Sequence, residues 1–365
     1  MNDALTLDRS SPKATTRDRV ATHLIADDKA MLRTAAELTR DLNAARPSIY
    51  WFDLVASAVV GWGALLVAVT ADTTLVAVVA GIVSMLALYR GISFIHELTH
   101  VKHATLPGFR TGWNALIGVP MLTPSFMYEG VHNLHHAKTR YGTSEDPEYL
   151  PLALMKPWTL PAFIVISALA PIGLLIRYAI LSPLSALFPA LRTVVVQRAS
   201  ALAINPGFRR RSPEGAFRKQ WHRIEAAASL WAIGLLALVG FGVIPLRAFL
   251  IFLAVASGVA VVNQVRTLVA HLWENEGESM SVTAQYLDTV NVPPPALLPM
   301  LWAPVGLRYH ALHHLIPGVP YHALGEAHRR LSAALEHTSP YHQASYPGLP
   351  GLVARIARST MMVRR

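Results

Sequence analysis

The chain reads as an all-α integral membrane protein with four transmembrane helices in two hairpins, further interfacial or re-entrant helices, and a cytoplasmic histidine-rich cap. Three observations predict this. Only 15% of the residues are charged against 53% hydrophobic, and mean hydropathy is +0.36, whereas soluble domains carry about 25% charge. Uncharged runs cover 54–71, 73–89, 157–176, 178–191, 226–246 and 248–265, and several approach the roughly 20 residues a spanning helix requires. Beside these runs, histidines recur in tight groups: His96-Glu-Leu-Thr-His100, His132-Asn-Leu-His135-His136 and His310-Ala-Leu-His313-His314.

The elements follow in order. Residues 1–50 are polar and charged, so the first apolar run begins too late to be a secretory signal peptide; they form a cytoplasmic N-terminal segment. A membrane domain spans 51–338, and 339–365 is a basic tail. Runs 54–71 and 75–95 make the first hairpin, turning at Asp72, with Trp51 and Phe52 where an aromatic belt sits. The first histidine group ends this hairpin. Segment 113–126, apolar with Pro120 and Pro124, reads as interfacial.

Segment 157–191 is long enough to cross, yet Pro161, Pro171, Gly173, Pro183 and Pro189 interrupt it and Arg177 sits near its middle. If it crossed once, the basic stretch from Arg192 to Arg223 would face the wrong side of the membrane. The third histidine group would also be cut off from the first two. Both arguments make it a re-entrant or interfacial hairpin, which proline and glycine suit where protein covers the freed backbone groups. Runs 226–246 and 248–265 form the second hairpin, turning at Pro245 and Arg247, and 325–337 reads as a surface helix packed on the cap.

Composition also excludes functions. With no cysteine the chain alone can hold no disulfide, thiolate-bound haem or iron–sulfur cluster. It carries no GxGxxG turn and no Walker A sequence, so nicotinamide, flavin and nucleotide sites lack their usual support. The net charge of +10 fits basic cytoplasmic loops rather than nucleic-acid binding.

On a helix, residues three and four apart share a face, so each histidine group can aim two or three imidazoles at one point, which is how a metal site is built. His96-Glu97-Leu-Thr-His100 also satisfies HExxH, with Glu97 as the general base of a membrane metalloprotease. That reading leaves both HxxHH groups without a role, and no aspartate-glycine motif accompanies it. A metal transporter or sensor would place ionisable groups along the spans; only Asn263 and Gln264, near one end, offer anything of the kind.

HxxxH at the end of the second span, HxxHH in the following loop and a final HxxHH after the second hairpin resemble the integral-membrane fatty acid desaturase and hydroxylase superfamily. The acidic segment from Tyr141 to Glu148 and the stretch from Leu315 to Tyr321 strengthen the likeness, which runs from about residue 50 to 335. The resemblance implies a non-haem di-iron centre that activates O2 and attacks an unactivated C–H bond of a fatty acyl lipid; imidazole by itself also suits zinc, copper and nickel. Desaturation is the first expectation. Oxidative decarboxylation of free fatty acids to terminal alkenes and carotenoid or lipid hydroxylation or ketolation are the alternatives.

The family commonly takes one more histidine after the last span, here His271. With His96, His100, His132, His135, His136, His310, His313 and His314 it completes nine ligands for two iron ions. His103 is a weaker candidate. Glu97, Glu129 and Asp146 are read as carboxylates that orient the imidazoles. His222, His322, His328, His337 and His342 are read as surface or packing residues. Partners implied are membrane lipids and a separate reductase and electron carrier of ferredoxin or cytochrome type, since the chain lacks redox groups and a fused HPGG haem motif. The expected location is the bacterial inner membrane with the site facing the cytoplasm.

Overall fold

The computed structural model describes residues 24–152 and 155–359, so the start of the N-terminal segment, 1–23, and the end of the basic tail, 360–365, lie outside the described residues. The described residues form helices and turns with only isolated β-bridges. Among the described residues, five helices are long and apolar enough to cross a membrane: α1 Pro47–Thr70, α2 Thr74–His100, α3 Thr159–Leu187, α4 Gly215–Gly240 and α5 Leu246–Leu268. Their outer faces expose Val59, Leu66, Val78, Ile82, Leu230 and Leu250. Helices apolar on every side suit a hydrocarbon solvent, and the protein is an integral membrane protein.

The α1–α2 hairpin closes as its turn residues dictate. Thr73 caps α2 by accepting from the Val76 N–H, and Pro47 starts α1, where a missing N–H costs nothing. A Cβ on Gly61 would stand 2.6 Å from Leu88, so glycine is what lets the two helices approach. At the α4–α5 turn Arg247 donates to the carbonyls of Val69 (2.7 Å) and Ala71 (3.0 Å), tying the far ends of both hairpins together.

The segment after the first histidine group enters the bundle. Trp62 of α1 donates to Leu116 O at 2.8 Å, Trp113 to Gly91 O of α2 at 2.7 Å, and Trp231 of α4 to Pro120 O at 3.1 Å. The interfacial segment expected from the sequence is thus wedged among three long helices.

Helix α3 has the length of a fifth span, where the sequence reading counts four and treats this stretch as re-entrant. It contains a 3₁₀ turn at Ile166–Leu169 and a π turn at Arg177–Leu181, beside prolines that interrupt the regular ladder. Its first half lies along α5, where Ser257 Oγ donates to Ala168 O at 2.8 Å. Its second half lies along α4 through a buried cluster: Arg177 reaches Glu225 at 2.6 Å, and Arg192 reaches the same carboxylate at 2.8 Å. The chain then returns through one ten-residue helix, Pro189–Arg198, to the loop carrying the second histidine group, where Leu202 N donates to Met127 O and Ile204 N to Pro147 O. That helix is about 15 Å long, half of a bilayer core.

The cap is built from the remaining short helices. Lys29–Leu38 packs on Leu324–Ala334. The loop before the third histidine group descends beside α2, where Tyr89 donates to Trp302 O at 2.9 Å, and it exposes Leu297, Leu298 and Met300.

Candidate metal centre

The first histidine group lies on the last turns of α2, the second on the short helix His132–His135, and the third on His310–Leu315. Backbone pairing brings the exit of α5 to the third group. His271 bridges to Thr289, Val290 N donates to Ala270 O, and Ala311 N donates to Val290 O. Asn291 Oδ1 receives the Leu312 N–H at 3.0 Å, which fixes the rotation of the helix carrying His310, His313 and His314.

Two clusters of imidazole nitrogens result. His96, His100, His132, His136 and His313 form one, and His135, His271, His310 and His314 the other, with the candidate ligand atoms of each within 4.8 Å of one another. The second and third groups split between the clusters, because their helices turn adjacent residues in different directions. Within the first cluster Nε2 of His132 and His136 are 2.9 Å apart, and His313 Nε2 is 3.0 Å from His100 and 3.2 Å from His136. In the second cluster His310 Nε2 lies 3.1 Å from His271 and 3.2 Å from His314.

Carboxylates and phenols hold the outward nitrogens. Asp146 lies 2.9 Å from His135 Nδ1, and Glu148 lies 2.8 Å from His132 Nδ1 while accepting the Tyr128 hydroxyl at 2.6 Å. Tyr141 bridges His271 Nδ1 to Asp288, 2.8 Å on each side. Each arrangement turns the Nε2 lone pair inward. Burial, reinforced by neighbouring imidazoles, pushes His132, His136, His310, His313 and His314 well below the usual histidine pKa, so they are neutral, the form that binds metal. Burial also disfavours the charged form of His135, yet the Asp146 carboxylate beside it leaves its pKa raised. Burial pushes Glu148 and Asp288 up to about 7, against the hydroxyls that donate to them.

These residues fit divalent metal ions. Both ring nitrogens of His96 and the Nε2 of His135 are buried without a hydrogen-bond partner, at a cost of about 1–3 kcal/mol for each such group; a cation in each cluster would take up one nitrogen of His96 and the Nε2 of His135. Imidazole nitrogens bound at about 2.1 Å to one divalent ion stand about 3 Å apart at neighbouring vertices of an octahedron and about 3.4 Å apart in a tetrahedron, and the paired nitrogens here stand 2.9–3.2 Å apart.

All nine histidines singled out in the sequence fall within these two clusters, His271 among them. Other readings change. Glu97 receives the Tyr50 hydroxyl and the Tyr321 N–H, and stands 3.7 Å from His96 Nδ1, beyond hydrogen-bond reach. Glu129 turns to Arg110 at 2.9 Å instead of to an imidazole. Both are taken up by packing contacts between segments, and Asp146 alone of the three carboxylates holds an imidazole. His103 lies outside both clusters, exposed at the rim of a separate cavity. Glu148 was within the acidic segment and could have been found with Asp146. Tyr141 opens the same segment, but its partner Asp288 carries no local signal, since the two meet across 147 positions of chain. Arg266, at the end of α5, has its Nε buried without a hydrogen-bond partner.

Comparison with known proteins agrees with this architecture. The fatty acid desaturase family model matches residues 72–346. A ceramide hydroxylase of Caulobacter vibrioides (strain NA1000 / CB15N) is 53% identical over 324 residues, covering 89% of this chain and 92% of the relative.

Proposed function

From the premise that the chain belongs to the fatty acid desaturase family, we propose that it is a di-iron membrane oxidoreductase that hydroxylates a C–H bond of a ceramide-type lipid. The likeness to a ceramide hydroxylase over nearly the whole chain carries this reading ahead of acyl desaturation. The balanced reaction consumes O2, two electrons and two protons, giving the alcohol and water. One oxygen atom enters the lipid.

The nine histidines of the two clusters would hold the metal. Two iron ions bound there supply O2 activation and attack on an unactivated C–H bond. Asp146, Glu148 and the Tyr141–Asp288 pair keep their imidazoles oriented with Nε2 inward. The cap segments over the clusters bury most of these rings, which keeps water from the reacting carbon. Electrons come from a separate reductase and carrier, since a cysteine-free chain cannot hold a thiolate-bound redox group.

In this reading the cap faces the cytoplasm of a bacterial inner membrane, and α3 turns back within the bilayer. The short return from Leu187 to Met127 supports re-entrance, and the basic residues between Arg192 and Arg223 support the orientation. The test is incubation of the purified protein with a ceramide, a reductase with its carrier, and ¹⁸O2, followed by mass spectrometry of the lipid. The expected product gains one labelled oxygen. A product that has only lost two hydrogens would overturn hydroxylation in favour of desaturation.

A further inference from the structure

Between the end of α2 and the first turns of α4 lies a cavity of about 700 Å³. No residue of the two histidine clusters lines it. Leu98, which does, stands on the side of α2 turned away from His96 and His100. Its floor is apolar, with Leu98, Leu106 and Phe109 buried, and its rim is cationic, with Lys102, Lys219 and Arg223 exposed.

Charge is unbalanced here. Arg110, also in the lining, is paired with Glu129 at 2.9 Å. Lys102, Lys219 and Arg223 make no ion pair among the described residues. The one carboxylate in the lining, Glu97, is occupied by the Tyr50 hydroxyl and the Tyr321 N–H. Ala216 in the first turn of the 26-residue α4 also lines the cavity; Glu214 stands at the N-cap of that helix without a capping hydrogen bond, and the three exposed cations of the rim outnumber it. The ends of two long apolar helices are where lipid head groups lie, and basic pockets between such helices on the cytoplasmic side take anionic head groups.

We propose that this cavity binds the head group of an anionic phospholipid, with its phosphate among Lys102, Lys219 and Arg223 and its glycerol and upper acyl carbons on Leu98, Leu106 and Phe109. A lipid seated there bridges the end of α2, which carries the first histidine group, to α4. The site is independent of the reaction proposed above. Free phosphate offers the same anionic chemistry without the apolar part.

The experiment is native mass spectrometry of the purified full chain, equilibrated in detergent with equal phosphatidylglycerol and phosphatidylcholine. The wild type should retain phosphatidylglycerol in preference. The double variant Lys219→Gln/Arg223→Gln should lose that preference by about 30-fold, whereas Lys138→Gln, which removes a distant surface cation, should keep it. Iron content should be the same in all three. Equal retention of both lipids by the wild type, or an unchanged preference in the double variant, overturns the proposal. If the double variant does not fold, the wild type decides alone: added salt should release phosphatidylglycerol and leave phosphatidylcholine retention unchanged, and failure to do so is equally fatal. Displacement of the lipid by equimolar inorganic phosphate would make this a free-phosphate site and remove the lipid assignment.

Discussion

A carboxylate accepts and does not donate, so Asp146 beside His135 Nδ1 places the imidazole proton there and leaves Nε2 free. Asp146→Asn presents an amide that can donate to the same nitrogen and favour the wrong tautomer. We expect it to weaken metal binding by about 10–100-fold, read by chelator competition on purified protein. His271 tests the second cluster more directly. His271→Ala should abolish turnover and lower iron measured by elemental analysis, while His103→Ala, outside both clusters, leaves both unchanged; normal iron in His271→Ala would remove that residue from the site. The histidines were legible because helical spacing writes a shared face directly into sequence. Asp288 and its pairing with Tyr141 were not, because a hydrogen bond across 147 positions leaves no periodic trace. Glu97 and Glu129 stand close to histidines in sequence, but adjacency along α2 turns Glu97 toward Tyr50 and Tyr321, and Glu129, in the turn before the second histidine group, faces Arg110.

At the level of elements, the two hairpins were readable from uncharged runs separated by Asp72 and by Pro245 with Arg247. Helix α3 was harder, since hydropathy reports length and not path. Its path is held by Arg177, whose guanidinium reaches Glu225, Ser200 and the Ala199 carbonyl. Arg177 and Glu225 are both buried, so Arg177→Ala leaves the carboxylate with Arg192 as its remaining charged partner. Leaving a buried charge wholly uncompensated typically costs about 3–5 kcal/mol; with Arg192 still in place the loss is smaller, about 1–3 kcal/mol, and a fall in the midpoint of thermal unfolding in detergent is expected. Topology has its own test in this cysteine-free chain. Single cysteines at Asp72 or Arg247 should react with an impermeant thiol reagent from outside the cell, and one at Thr193 should not. Outside labelling at Thr193 would show that α3 crosses.

For the whole molecule, the proposed reaction sits where the cap meets the end of α2 and draws its electrons from a separate protein. Purified protein given lipid and O2 should turn over only when a reductase and carrier are added, and repeated turnover without any reductant would refute the proposed cycle. An acidic carrier would be steered by the basic cap side, so added salt should slow turnover at limiting carrier. The Arg177–Glu225 contact also constrains how the protein is made. Its partners are 48 positions apart, and at about 5–20 residues per second the ribosome delivers the glutamate some 2–10 s after the arginine. During that interval Arg177 has only the hydroxyls of Ser182 and Ser200 and the Ala199 carbonyl to meet, so the ion pair that fixes α3 against α4 forms only after α4 has been made.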